Sequence, residues 1–131
     1  MCNRHSIDQI NAAVGAHGAW KMRLRGAIRS GRGDIKSHDA SMDNRCEFGQ
    51  WLYGSQIDAT TREGVPYQVI RRLHAEFHRS AGRVLAHVEA GRLAEAELAM
   101  NGEFTETSEK LTRAMTKWKG ELQASGASLA A

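Results

Sequence analysis

Between Ser6 and Ser30 the chain sets Ile7, Ile10, Val14, His17, Lys21, Leu24 and Ile28 at alternating steps of three and four. That spacing lines one face of an α-helix and cannot line one face of a strand. The same period returns in Ile70, Leu73, Phe77, Ala81, Val84 and Val88, and again in Leu93, Met100, Phe104, Leu111, Met115, Trp118 and Leu122. Pro66 is the one proline, and no run of Val, Ile and Thr suggests a strand. The pattern predicts an all-α chain of three long helices: about Ser6 to Ser30, Pro66 to Ala90, and Leu93 to Gln123. Ser6 is the expected N-cap of the first, with Gln9 completing a capping box. A short helix is expected from Asn44 to Tyr53, between polar connectors at 31–43 and 55–65. An antiparallel bundle is the economical way to bury three such stripes. Residues 1–123 form the expected domain, and 124–131 a frayed tail.

The formal net charge is +3, with both signs interspersed. The most basic stretch, Lys21 to Lys36, reads as a solvated helix face and loop, and no basic stripe points to nucleic acid. Two cysteines, Cys2 and Cys46, make no disulfide framework. The first twenty residues lack a continuous apolar core, so no signal peptide is expected. No run of about 18 apolar residues predicts a membrane span. The expected compartment is the reducing cytoplasm.

Three histidines and a cysteine stand apart. His74 and His78 are four apart on a helix, so both rings leave one face a turn apart. Such pairs are commonly surface or core-edge residues. His17 falls on an apolar stripe, where a buried ring needs partners for both nitrogens. A backbone carbonyl or a hydroxyl would serve. Cys46, near Phe48, Trp51 and Leu52, reads alone as a small buried hydrophobe. Taken together, three imidazoles and one thiolate are a complete tetrahedral set for Zn²⁺, and such donors favour zinc over Mg²⁺ and Ca²⁺, which want oxygen. His5, His38 and His87 fall off the convergent positions and read as surface or loop residues.

Three blocks carry a family resemblance: Ala16-His17-Gly18-Ala19-Trp20-Lys21, then Cys46-Glu47-Phe48-Gly49-Gln50-Trp51-Leu52-Tyr53-Gly54, then His74-Ala75-Glu76-Phe77-His78. In order and spacing they resemble the motifs of the chemoreceptor zinc-binding domain, over about residues 6 to 90. The resemblance implies that His17, Cys46, His74 and His78 ligate zinc, and that the helical bundle pairs into a homodimer. Trp20, Phe48, Trp51 and Phe77 match the family's aromatic positions and read as packing around the ligands. Spacing does not say whether a carboxylate, such as Asp43 or Asp34, orients a ligating histidine.

Four protein ligands leave no open position on zinc, so no enzyme is expected. A closed site can couple metal occupancy to helix packing. Its thiolate can also meet an oxidant. The resemblance implies both: family members control diguanylate cyclases through zinc, or sit on cytoplasmic chemoreceptors and respond to zinc or hypochlorous acid. The expected function is a zinc or oxidant sensor signalling to such a partner. The alternative is a structural zinc adaptor or zinc buffer. No output domain is visible in the chain: either it acts in trans on a protein partner, or the sequence is one domain of something larger.

Overall fold

The computed structural model describes residues 3–130, with side chains described for 4–124. Cys2 lies outside the described residues. The elements are α1 (Asn3–Ser30), α2 (Ser37–Ala40), α3 (Glu47–Tyr53), α4 (Ala59–Glu63), α5 (Val65–Glu89), α6 (Leu93–Ala99), a π-helical turn (Met100–Phe104) and α7 (Thr105–Ala130). There is no strand among them. The all-α reading therefore holds. The connectors expected at 31–43 and 55–65 each contain a short helix, α2 and α4. The capping-box reading fails, because α1 already includes Ser6. The long last helix is continuous, with the π turn inside it, and runs on past Gln123.

Helix α5 is the spine. Tyr67, Ile70, His74, Phe77, Ala81, Val84 and Val88 follow the three-four rhythm and are all buried. Pro66 sits in its first turn, where a missing N–H costs nothing. On α1 the buried seam is Ile10, Ala13, His17, Trp20, Leu24 and Ala27. Val14 and Ile28 are only half-buried, and Lys21 is exposed. The sequence stripe was thus one position off at three places. Small Ala13 and Ala27 let α1 close on its neighbours, so the larger Val and Ile stand at the seam's edge.

The bundle is not antiparallel throughout. His17 packs on His74 and His78, Trp20 on His78, and further along Ala27 and Leu85 both close on Gly33. Helices α1 and α5 therefore run parallel. Helix α7 runs against α5, with Tyr67 beside Trp118 and Phe77 beside Phe104. A parallel pair needs a long crossover to bring the chain back to its starting end, and residues 31–64 supply it. That crossover carries α2, α3 and α4 across the bundle's side. It is pinned by Arg62, whose guanidinium donates to the carbonyls of Ile57 and Gly54 and to Tyr67 Oη, while Tyr67 donates to the Leu52 carbonyl at 2.7 Å.

Candidate metal centre

His17 comes from the middle of α1, and His74 and His78 from the buried face of α5. Cys46 comes from the crossover, as the N-cap of α3. Its backbone is extended, and its Sγ accepts from Gly49 N at 3.3 Å, the place a Ser or Asp oxygen usually takes. Position 49 has no room for a side chain: a Cβ would stand 1.7 Å from the Asp43 carbonyl oxygen. The loop before Cys46 is folded directly over the first turn of α3, and this sets where the sulfur lies.

Helix α2 supplies a part that no sequence pattern announced. The Glu89 carboxylate accepts from Ser37 N at 2.7 Å and from Ser37 Oγ at 2.6 Å, tying α2 to the end of α5. Gly82 lets α2 approach closely, since a Cβ there would be 2.7 Å from Ser41 Cβ. The Ala40 carbonyl then meets His78 Nδ1 at 3.1 Å. A carbonyl only accepts, so Nδ1 must donate. That fixes the tautomer and leaves Nε2 with its lone pair free. Among the described residues His78 Nε2 has no partner, and neither do the Nδ1 atoms of His17 and His74.

The donor atoms converge. His74 Nε2 lies 3.2 Å from His17 Nε2 and 3.3 Å from Cys46 Sγ, and Cys46 Sγ lies 4.0 Å from His17 Nε2. One donor atom from each of the four residues lies within 4.8 Å of all the others. A tetrahedral zinc with ordinary bond lengths has edges of about 3.3 Å between nitrogens and about 3.6 Å between nitrogen and sulfur. The cluster is on that scale.

Electrostatics agree with a neutral, metal-ready set. Burial, with repulsion from His78, lowers His17 to about 4. The Ala13 carbonyl pulls the other way but stands outside hydrogen-bond geometry. Burial, with repulsion from His78 and His17, lowers His74 to about 2. Burial also lowers His78, against the pull of the Ala40 carbonyl and the Asp43 carboxylate. For Cys46, burial raises the thiol despite the backbone N–H groups of Gly49 and Phe48. Neutral imidazoles are the form that binds metal, and a thiol held protonated needs a metal to release its proton.

Aromatic rings close the site. Phe77 stands edge-on to His17 at 4.8 Å, Phe48 to His74 at 5.2 Å, and Trp20 to His78 at 6.0 Å. Trp51 backs Phe48 at 5.6 Å and meets Trp118 of α7 at 5.9 Å. Neither carboxylate considered from sequence bonds a candidate histidine. Asp34 pairs with Arg23, and Asp43 accepts from Tyr53 Oη. The orienting group is the Ala40 carbonyl, which a sequence motif cannot name. His5, His38 and His87 lie away from the cluster; His5 bonds Gln56 and His87 accepts from Arg92.

Scanned against protein families, the chain matches the chemoreceptor zinc-binding domain over residues 17–85, just over half its length. The chain belongs to that family. The match takes in all four converging residues of the chemoreceptor zinc-binding domain, from His17 to His78, and the whole crossover. It stops before α6, so the π turn and α7 are read from the structure alone. Comparison with curated proteins gave no match, and comparison with solved structures gave none.

Proposed function

We propose that the chain binds one zinc ion through His17 Nε2, Cys46 Sγ, His74 Nε2 and His78 Nε2, and that the occupied site serves sensing rather than catalysis. The observation that carries this reading is the convergence of four soft donors from three elements, buried among aromatic rings, within 4.8 Å of one another. Among the described residues three buried ring nitrogens have no partner, and one of them, His78 Nε2, is a proposed ligand atom whose burial is costly unless something satisfies it. An ion satisfies the lone pair of His78 Nε2, which the Ala40 bond leaves facing no donor. Four protein ligands fill zinc's tetrahedron, which argues against hydrolysis.

The signal is zinc availability, an oxidant such as hypochlorous acid acting on Cys46, or both. The output passes to a partner, a diguanylate cyclase or a chemoreceptor signalling module, and the family's name favours chemotaxis. The working unit is a homodimer of the domain at 1–123, acting in the cytoplasm. Among the described residues no helix is long and apolar enough to cross a membrane.

The test is zinc stoichiometry before and after mild oxidation, with Cys46 intact and replaced by Ala. The expected result is about one zinc per chain, released on oxidation only when Cys46 is present. Less than about half a zinc per chain, with Cys46 freely titratable, would remove the metal assignment. Zinc that stays until the chain unfolds would favour a structural site over a sensor.

A further inference from the structure

Beside the cluster a cleft of about 60 Å³ opens between α1 and the first turn of α3. Exposed Ala12, Ala16 and Glu47 form its rim, and His17 and Cys46 are among the residues that line it. The rest of the cluster is sealed: His74 and His78 are 0 % and 2 % exposed, whereas Cys46 is only half-buried. His17 is 5 % exposed, so Cys46 is the ligand candidate that this cleft leaves most open.

Deepening the zinc reading, on which it rests, we propose that this cleft is the route by which small molecules reach Cys46 Sγ, and that the small side chains of Ala12 and Ala16 set the size limit. A water molecule's share of liquid volume is about 30 Å³, so the cleft takes about two heavy atoms, the reacting end of a reagent whose remainder stays outside the open mouth. Its substrate class is therefore a thiol-directed reagent whose reacting end has about two heavy atoms, as a methylthio group has. Reagents with a bulkier reacting end stop at the rim. A longer side chain at position 16 would occupy the opening. Ala19, exposed one turn further along α1, lies outside it and is the matched control.

Two reagents with one leaving group test the limit. In methyl and benzyl methanethiosulfonate the cysteine sulfur attacks the sulfenyl sulfur, a disulfide forms and methanesulfinate leaves; a metal-free thiol gives its proton to buffer, and a sulfur bound to zinc would give up that bond instead. The reaction is run on the folded Cys2→Ser chain as purified, with zinc measured alongside and Cys46 labelling followed by mass. Each rate is divided by that of the same chain in urea, which removes intrinsic reactivity. The methyl reagent should label Cys46 about tenfold faster than the benzyl reagent, and Ala16→Leu should slow the methyl reagent by about tenfold. Ala19→Leu should leave both rates unchanged. Equal rates for the two reagents, or a methyl rate indifferent to Ala16→Leu, would show entry by general opening of the fold and overturn the proposal. Should Ala16→Leu not fold, the reagent comparison on the Cys2→Ser chain decides alone. A chain that purifies without zinc and takes none up would defeat the zinc reading, while the labelling ratios would still judge the route.

Discussion

Cys46 sits between two opposed influences. The first turn of α3 offers its sulfur the Gly49 and Phe48 N–H groups, which favour thiolate, and burial among Phe48 and the histidines disfavours it more strongly. The thiol is therefore held above its ordinary value and keeps its proton near neutral pH. The three histidines are shifted the opposite way and are already neutral there. Zinc binding at pH 7 should then release about one proton, from Cys46, and none from the rings. Apparent affinity should rise by about tenfold per pH unit below the thiol's own value. Titration calorimetry in buffers of different ionisation enthalpy measures that number directly. Release of two or more protons, or none, would mean that these protonation states are wrong.

Among the elements, α3 depends on a contact that its propensity does not reveal. Gly49→Ala would drive a Cβ into the Asp43 carbonyl, so the loop and Cys46 must move apart. Overpacking of this kind should cost about 3 kcal/mol, and zinc affinity should fall with it. Gly18→Ala is the control: nothing lies within 4 Å of a Cβ there, and it should gain about 0.5–1 kcal/mol as a helix-interior replacement. Thermal melts and a zinc competition assay read both. Equal behaviour of the two variants would refute the crowding argument. The same element shows what a sequence can carry. The four converging residues were legible because residue types and motif spacing single them out. The long helices were legible because 3.6-residue periodicity survives substitution. The parallel course of α1 and α5 was not, since apolar stripes carry no direction. The Ala40 carbonyl was not either, because every residue has a carbonyl and only the docking of α2 onto Gly82 and Glu89 selects this one. The seam of α1 was misplaced for a related reason. Reading by bulk favours Val14 and Ile28 over Ala13 and Ala27, yet close helix approach favours the smaller pair.

For the whole molecule, three buried neutral histidines make the metal-free fold sensitive to acid. His17 and His74 are lowered from 6.5, to about 4 and about 2, so the unfolded chain takes up protons that the fold refuses. The contribution of these neutral rings is complete above pH 6.5 and shrinks as pH falls towards the folded values. Each histidine protonated only in the unfolded chain should cost about 1.4 kcal/mol per pH unit. Urea midpoints of the chelator-treated chain should drop between about pH 7 and about pH 5, and added zinc should move that drop to lower pH. Midpoints flat across that range, with helix content unchanged, would show that the rings are not buried in the neutral form. The parallel pairing of α1 and α5 has one more effect. Each long helix carries a backbone dipole of about half an elementary charge at each end, and α7 cancels only one of the two. The molecule is thus left with a partly negative pole where α1 and α5 both finish. Arg29 in the last turn of α1, Arg32 and Lys36 just beyond it, and Arg92 after α5 gather at that pole. Arg29, Arg32 and Lys36, half of the six cations between Lys21 and Lys36, are therefore a counterweight to aligned peptide groups, with Asp34 and Glu89 beside them.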